Sequence, residues 1–306
     1  MATTVLTQAL IDAFNTTVHA AFNKGLGAQN MDWAQLAKEI PSDARNNTYA
    51  WLSQFPAFRE WIGARLHKVA KERAYTVDNK PWENTFDVPR SDFEDNNLGM
   101  YSAVAESFGE AIGDLKNDLV FGGIKSGFTS ICYDGQYFFD VDHPVAPNED
   151  GSGVVVNVSN MQAGILEPWA LLCTKRAPKA FYLQNRTGAP EFIGKNNAAT
   201  SDYVFENDKF TWGGRWRGNF AFGFWQLAFG SKAVFDAANF NAAYNAMMTV
   251  KADGNRQLNI IPDTLIVGPA NRVAAENLIT TKTLANGADN ALYNRVKVVV
   301  NPLMAL

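Results

Sequence analysis

The chain has 306 residues, 47% hydrophobic and only 19% charged, with a formal net charge of −4. A chain this long builds its core without disulfides or structural metal, and its two cysteines, Cys132 and Cys173, form no disulfide framework and suit a reducing cytoplasm. The mildly acidic balance, without a long basic run, excludes a protein whose main work is gripping nucleic-acid phosphates, and a charged share below the usual ~25% leaves much of the surface to face other protein.

The N-terminus, MATTVLTQALIDAF, lacks the basic region and continuous apolar core of a signal peptide, and no stretch reaches the ~18 apolar residues of a membrane span. The chain is therefore expected to be made and kept in the cytosol. Residues 4–24 place Leu6, Leu10, Phe14, Val18 and Phe22 four apart, a narrow apolar stripe on an otherwise polar helix that must lie on something. GLGAQN is read as its end, and Asp32 to Ile40 as a short second helix stopping before Pro41. Residues 45–64, with Tyr49, Trp51, Leu52, Phe55, Phe58, Trp61 and Ile62, are read as compact buried material.

The next segment carries Arg65, His67, Lys68, Lys71 and Arg73 and then two predicted strands joined across Asp78-Asn79-Lys80-Pro81, with Tyr75, Val77, Trp82, Phe86 and Val88 as apolar members. Such a polar hairpin cannot bury both faces. It either lies on its own sheet or projects to bind a neighbour. Ser91-Asp92-Phe93-Glu94 matches a capping box, which predicts a helix start there. Leu98, Tyr101, Val104 or Ala105, Phe108, Ile112, Leu115, Leu119 and Ile124 continue the pattern over a helix roughly 40 Å long, with Gly99, Gly109 and Gly113 as weak points.

Beyond Gly127 lies an irregular, turn-rich stretch. Residues 202–229 read as an antiparallel pair, with Phe220, Phe222 and Phe224 on one face. Residues 239–250 read as a helix presenting Phe240, Tyr244 and Met247 or Met248; DTLIVGP reads as a buried strand, NRVAAENLIT as a helix capped by Asn271, and RVKVVVNP as a closing strand. The whole is α+β, without repeats.

Chemistry is sparse. His19, His67 and His143 have no partner at metalloprotease spacing, and no nucleophile elbow, P-loop or dinucleotide fingerprint is present. Gly213, Gly214 and Gly218 flank Arg215 and Arg217, but strands rather than a helix follow them, so they make no phosphate cradle. Asp140, Asp142, His143, Glu149 and Asp150 could hold Ca²⁺ as hard oxygen ligands, but EF-hand spacing is absent and hydrogen-bonded turns are the favoured reading. No catalytic residue, cofactor or metal is expected, and the chain does not read as an enzyme.

Four strings, RNNTYAWLSQFPAFREWIGAR (45–65), RSDFEDNNLGMY (90–101), CYDGQYFFDVDHPVAPNEDGSG (132–153) and AFGFWQLA (221–228), resemble the major head protein of Mu-type transposable phages, in the family's order. The resemblance implies an α+β capsid fold of the Hong Kong 97 type. Residues 1–40 would be the N-terminal arm, 41–64 a peripheral-domain segment, 65–89 the extended hairpin loop, 90–154 the peripheral domain with its spine helix, and 155–306 the axial domain plus returning peripheral strands near 202–230. It departs from the type fold in that those strands precede the DTLIVGP strand.

The resemblance also implies a shell subunit that forms hexamers and pentamers, works with scaffold, maturation protease, portal and decoration proteins, and encloses double-stranded DNA without reading its sequence. The expected inter-subunit contacts are the arm stripe Leu6, Leu10, Phe14, Val18 and Phe22; the basic stem Arg65, Lys68, Lys71 and Arg73; the apolar Trp82 and Phe86; and Glu94 and Asp95 at the start of a neighbour's spine helix. Competing readings are a tail or decoration protein, a Ca²⁺-dependent hydrolase and a ligand-binding protein. Particle formation separates them from a shell subunit.

Overall fold

The computed structural model describes residues 6–49, 75–148, 152–197, 200–284 and 286–306. In chain order the elements are α1 (Gln8–Ala28), β1 (Ala37–Pro41), β2 (Asn46–Thr48), β3 (Thr76–Asp78), β4 (Lys80–Pro89), α2 (Arg90–Glu94), α3 (Gly99–Ser126), β5 (His143–Val145), β6 (Val156–Val158), β7 (Met161–Gln162), β8 (Trp169–Leu172), β9 (Phe181–Asn185) and β10 (Glu191–Lys195). There follow α4 (Asp202–Asn207), β11 (Lys209–Phe222), β12 (Ala228–Ser231), α5 (Ala237–Thr249), β13 (Lys251–Ala252), β14 (Arg256–Gln257), β15 (Thr264–Val267), α6 (Arg272–Ile279) and β16 (Lys297–Val300).

The first sheet is organised by β11, whose even-numbered residues share one face by the two-residue period of a strand. Phe210, Trp212, Trp216 and Phe222 on that face are buried, Gly214 leaves space beneath Phe108, and Gly218 leaves space for the Trp216 ring. Burying each tryptophan contributes about 4–6 kcal/mol before entropic costs. Along one edge β11 pairs antiparallel with β4 over ten residues, from Lys209↔Pro89 to Gly218↔Lys80. Along the other it pairs with β10 and then β9, and β9 carries β1 in parallel.

The long helix lies along this strand. A Cβ placed on Gly214 would meet Phe108, Lys116 Nζ sits 5.8 Å from the Trp216 ring, and a Cβ on Gly123 would strike Phe220. From Phe108 to Gly123 the helix advances roughly 22 Å, and from Gly214 to Phe220 the strand advances roughly 20 Å, so the two run in step. The expected spine helix is present, but it starts at Gly99 without a side-chain cap. Ser91 instead falls inside the one-turn α2, which makes no side-chain cap bond, and the left-handed Asn96 (φ 55°) ends that turn before α3 begins.

The buried face of α3 runs through Tyr101, Ala105, Gly109, Gly113 and Val120, and its glycines are contact points rather than weak ones. A Cβ on Gly109 would lie 2.2 Å from the Phe22 carbonyl oxygen, and one on Gly25 would lie 1.9 Å from that of Glu106. The backbones of α1 and α3 therefore touch. This explains why α1 continues through Gly25 to Ala28 rather than ending at GLGAQN.

The N-terminal stripe is consequently not an arm laid on a neighbour. Ile11, Phe14, Val18 and Phe22 are buried in the chain's own core, with Leu6 and Leu10 half-buried at its edge. Phe14 makes edge contacts with Phe93 and Trp212 at 5.0 and 5.3 Å, and Phe22 stacks on Phe192 at 4.4 Å.

Three further expectations are corrected by pairing partners distant in sequence. Residues 32–40 form a single 3-10 turn (Asp32–Gln35) and then β1, drawn out of helix by its ladder to β9. No hairpin turns at 78–81: β3 pairs with β2, β4 pairs with β11, and buried Asn79 holds the bend by donating to Ser42 Oγ (2.7 Å) and the Ala44 carbonyl (2.8 Å). Residues 202–207 are the helix α4, ended by the left-handed Asp208 (φ 52°), so β11 is one unbroken strand.

The second sheet has the order β16-β15-β8-β12-β7, and β8, β12 and β15 are buried along their whole length. The chain thus leaves the second sheet after β8, builds β9 to β11 in the first, and returns at β12. The excursion into the first sheet between β8 and β12 therefore spans 181–222, wider than 202–230. One continuous apolar core joins the two sheets through Phe138, Phe139, Phe222, Phe224 and Trp225. The helices α5 and α6 and the strands β15 and β16 match the sequence reading, with Phe240, Tyr244 and Met247 buried on α5. Asn271, however, caps α6 without a side-chain bond and instead donates to the Glu167 carbonyl (3.1 Å).

Gly109→Ala should destabilise the fold by about 2–3 kcal/mol through overpacking, whereas Gly122→Ala, on the same helix but facing open space, should stabilise it by about 0.5–1 kcal/mol. Thermal unfolding of the pair checks this, and equal effects would break the close-contact account. Ser91→Ala should change stability by less than about 0.5 kcal/mol, where a true cap would lose about 1 kcal/mol.

Candidate functional site

A buried polar cluster among the described residues is built on the turn Cys132-Tyr133-Asp134-Gly135. Gly135 adopts φ 89°, its N–H donates to the Cys132 carbonyl (3.1 Å), and the Cys132 N–H donates to Gln136 (2.8 Å). This tight reversal sets the Cys132 thiol 3.1 Å from Asp134 Oδ1. Asp134 Oδ2 lies 2.7 Å from Nδ1 of His143, which β5 delivers fully buried and stacked 4.0 Å from the Trp225 ring.

Asn160 closes the cluster. Its Nδ2 donates to the carbonyls of Phe138 (2.9 Å), Trp225 (3.3 Å) and Ala228 (3.3 Å), and its Oδ1 accepts from the Asp140 N–H (2.9 Å) and faces His143 Nε2 (3.1 Å). It thereby ties the 132–143 loop to the crossover from β11 to β12, at the junction of the two sheets. Burial alone would push the Asp134 carboxyl up, but hydrogen bonding and charge from His143, with the Cys132 and Gln136 donors, outweigh it and hold it below the usual carboxylate range. Burial, and then the Asp134 charge, hold Cys132 as a thiol. A thiol so held is a poor nucleophile.

The neighbouring carboxylates are turn structure: Asp140 accepts from the N–H groups of Tyr137 (3.1 Å) and Val141 (2.7 Å). Glu149 and Asp150 lie outside the described residues. Sequence reasoning placed His143 with Asp140 and Asp142 and missed its partners Asp134, Asn160 and Trp225. The Asp134-Gly135 dipeptide, a hairpin signal, was the available clue.

The expected contact residues are dispersed. Phe14, Val18 and Phe22 are internal, as above. Trp82 is half-buried and donates from Nε1 to the Gly218 carbonyl (3.2 Å), while Phe86 lies 5.8 Å from Trp212 and 5.2 Å from Phe108. Both belong to the chain's own sheet, because β4 is a full partner of β11. Glu94 and Asp95 are exposed, with Glu94 paired to Arg90 at 3.2 Å. Arg65, Lys68, Lys71 and Arg73 lie outside the described residues. Large apolar side chains at the surface stand elsewhere: Val154 is 88% exposed, Ile165 90% and Phe205 90%.

Residues 11–304 match the family described as "Mu-like prophage major head subunit gpT". The chain belongs to this family of head subunits. It is 34% identical to the major capsid protein of Escherichia phage Mu over 304 residues, which covers 97% of this chain and 98% of that protein. It is also similar to the procapsid subunit of bacteriophage JBD30, with a TM-score of 0.86, 40% identity and coverage of 97% of this chain and 100% of that one. The JBD30 capsid decorated with minor capsid protein trimers matches with a TM-score of 0.73, 32% identity and coverage of 89% and 90%. The head subunit accordingly has the Hong Kong 97-type capsid fold, and its family is structural rather than enzymatic. Among the described residues, no helix is long and apolar enough to cross a membrane.

Asn160→Ala should cost about 3 kcal/mol, since it strands several buried partners at once, whereas Asp142→Asn at the half-buried lip should stay within about 0.5 kcal/mol. Denaturant unfolding of the two distinguishes them. A mild Asn160 effect would show that the junction is held by apolar packing alone.

Proposed function

We propose that this head subunit closes an icosahedral shell from pentamers and hexamers of itself around packaged double-stranded DNA, in the cytoplasm of the bacterial host. Scaffold, maturation protease and portal take part in its assembly, and the minor capsid trimers on the JBD30 relative make decoration a further partner. The observation that carries this reading is the match to a procapsid subunit over that chain's entire length. The net charge of −4 suits a container, because a wall that gripped phosphates would hinder packing and release.

The pairing of β2 with β3 supports a reaching loop that begins nearer the N-terminus than residue 65. β2 and β3 pair from Asn46↔Asp78 to Thr48↔Thr76, and Tyr49 N–H extends the ladder to the Tyr75 carbonyl at 2.8 Å. Residues 50–74, among them Trp51, Leu52, Phe55, Phe58, Trp61 and Ile62 that the sequence predicts to be buried, lie outside the described residues; the chain on either side of them is held at one closed base, and their sequence carries the basic stem Arg65, Lys68, Lys71 and Arg73. The proposed partner remains the exposed Glu94 and Asp95 of a neighbour, with pairs worth about 0.2–1 kcal/mol each that fix register rather than affinity. The apolar share of the contacts falls to Val154, Ile165 and Phe205 in place of Trp82 and Phe86. The peripheral domain is then α1, α3 and the first sheet, and the axial domain is the second sheet with α5 and α6.

Replacing residues 51–73 by a short Gly-Ser turn should leave a soluble subunit of nearly unchanged melting temperature that forms no closed particles. Replacing Val77 to Phe86 should instead abolish folding, since it removes most of the partner of β11. Circular dichroism and negative-stain microscopy read both outcomes, and intact shells from the first variant would overturn the loop assignment.

A further inference from the structure

The junction cluster has the chemistry of a metal site. One ligand atom each from Cys132, Asp134 and His143 lie within 4.8 Å of one another. The orientation of His143 decides which of its nitrogens could bind. Asn160 cannot turn its amide over, because its Nδ2 is committed to three carbonyls and its Oδ1 already accepts from the Asp140 N–H. Oδ1 therefore faces Nε2 as an acceptor, and Nε2 carries the hydrogen. In the neutral ring this leaves the Nδ1 lone pair directed at Asp134 Oδ2, 2.7 Å away, where two electron-rich atoms repel unless a proton or a cation lies between them.

We propose that Cys132 Sγ, one Asp134 carboxylate oxygen and His143 Nδ1 bind a single Zn²⁺ ion at the junction of the two sheets. On binding, Zn²⁺ displaces two protons to solvent, the Cys132 thiol proton and the proton that otherwise separates His143 Nδ1 from Asp134 Oδ2, and takes the place of the hydrogen bonds they make. One thiolate and one carboxylate neutralise the ion's two charges, so the loaded site is neutral, as a buried place requires. A sulfur, nitrogen and oxygen set suits borderline-soft Zn²⁺ and disfavours Ca²⁺ and Mg²⁺, which take oxygen ligands. The Nε2–H to Asn160 contact has the form of the second hydrogen bond by which proteins orient a metal-bound histidine. Water completes a tetrahedron on the Asp134 side, the least enclosed of the three, with its side chain 11% exposed.

The ion would brace the loop 132–143 against the Trp225 crossover. Binding would release both protons and therefore weaken steeply as pH falls.

The test uses the full-length subunit, purified without chelator, dialysed against zinc-containing and then zinc-free buffer, and measured by elemental mass spectrometry. Close to one zinc per chain is expected. Cys132→Ser and Asp134→Asn should each lower the content about tenfold at matched folding by circular dichroism. Replacing zinc with Co²⁺ in the wild type should add a thiolate-to-cobalt charge-transfer band, and this keeps the question open to decision if either variant fails to fold. A folded wild-type chain that retains less than about a tenth of an equivalent, or cobalt-loaded protein without the thiolate band, would overturn the proposal and leave a hydrogen-bonded His143–Asp134 pair in its place.

Discussion

The fold depends on two long elements lying in step, α3 above β11. Each gains from the other what it lacks alone. The strand offers aromatic side chains separated by glycines on one face, and the helix offers small residues and a flat apolar side. Because they advance together over roughly 20 Å, contacts at Gly214–Phe108 and Gly123–Phe220 hold at once. Everything in the first sheet is then hung from β11: β4 on one edge, β9 and β10 on the other, with β1 beyond β9. α1 packs beside α3 on the same sheet, and its glycine contacts set how near the two helices come.

That arrangement explains which parts of the sequence were legible. The helices α5 and α6 and the strands β15 and β16 are short, locally consistent segments whose periodicity matches their final state. The α3 pattern is long enough to survive its misread start. The errors share one cause, which is pairing between residues far apart in the chain. β1 looked helical because nothing near it in sequence announces β9, about 145 residues on. β4 looked like half of a hairpin because its partner is separated from it by over 100 residues. The stripe on α1 was read correctly as apolar, but periodicity names a face and not the surface it covers.

The junction cluster was hidden for a related reason. His143, Asp134, Asn160 and Trp225 come from four segments, and the acid that the turn brings into contact with His143 is Asp134 rather than its sequence neighbours Asp140 and Asp142. Glycine was misjudged in the same way. Propensity alone makes Gly109 and Gly113 weak points of a helix, whereas the structure uses their missing side chains to admit a second backbone. A penalty of about 1 kcal/mol per glycine is small beside the packing that the close approach allows.

A shell subunit must be stiff and yet meet its neighbours at different angles in five-fold and six-fold rings. Bending between the two sheets is a poor way to adapt. Opening the junction would expose Phe138, Phe222, Phe224 and Trp225, at a cost on the order of 10 kcal/mol, comparable with a typical domain's whole stability. The two sheets therefore move as one body on this scale, with Asn160 fixing the crossover as well. Adaptation falls to contacts at the surface, where each exposed apolar side chain or ion pair is worth at most a few kcal/mol and can be remade at another angle. Weak individually, such contacts are repeated by symmetry around every ring, and closure of the shell makes their loss collective. A rigid core with cheap, repeated edges is thus the division of labour that the α3–β11 pairing imposes.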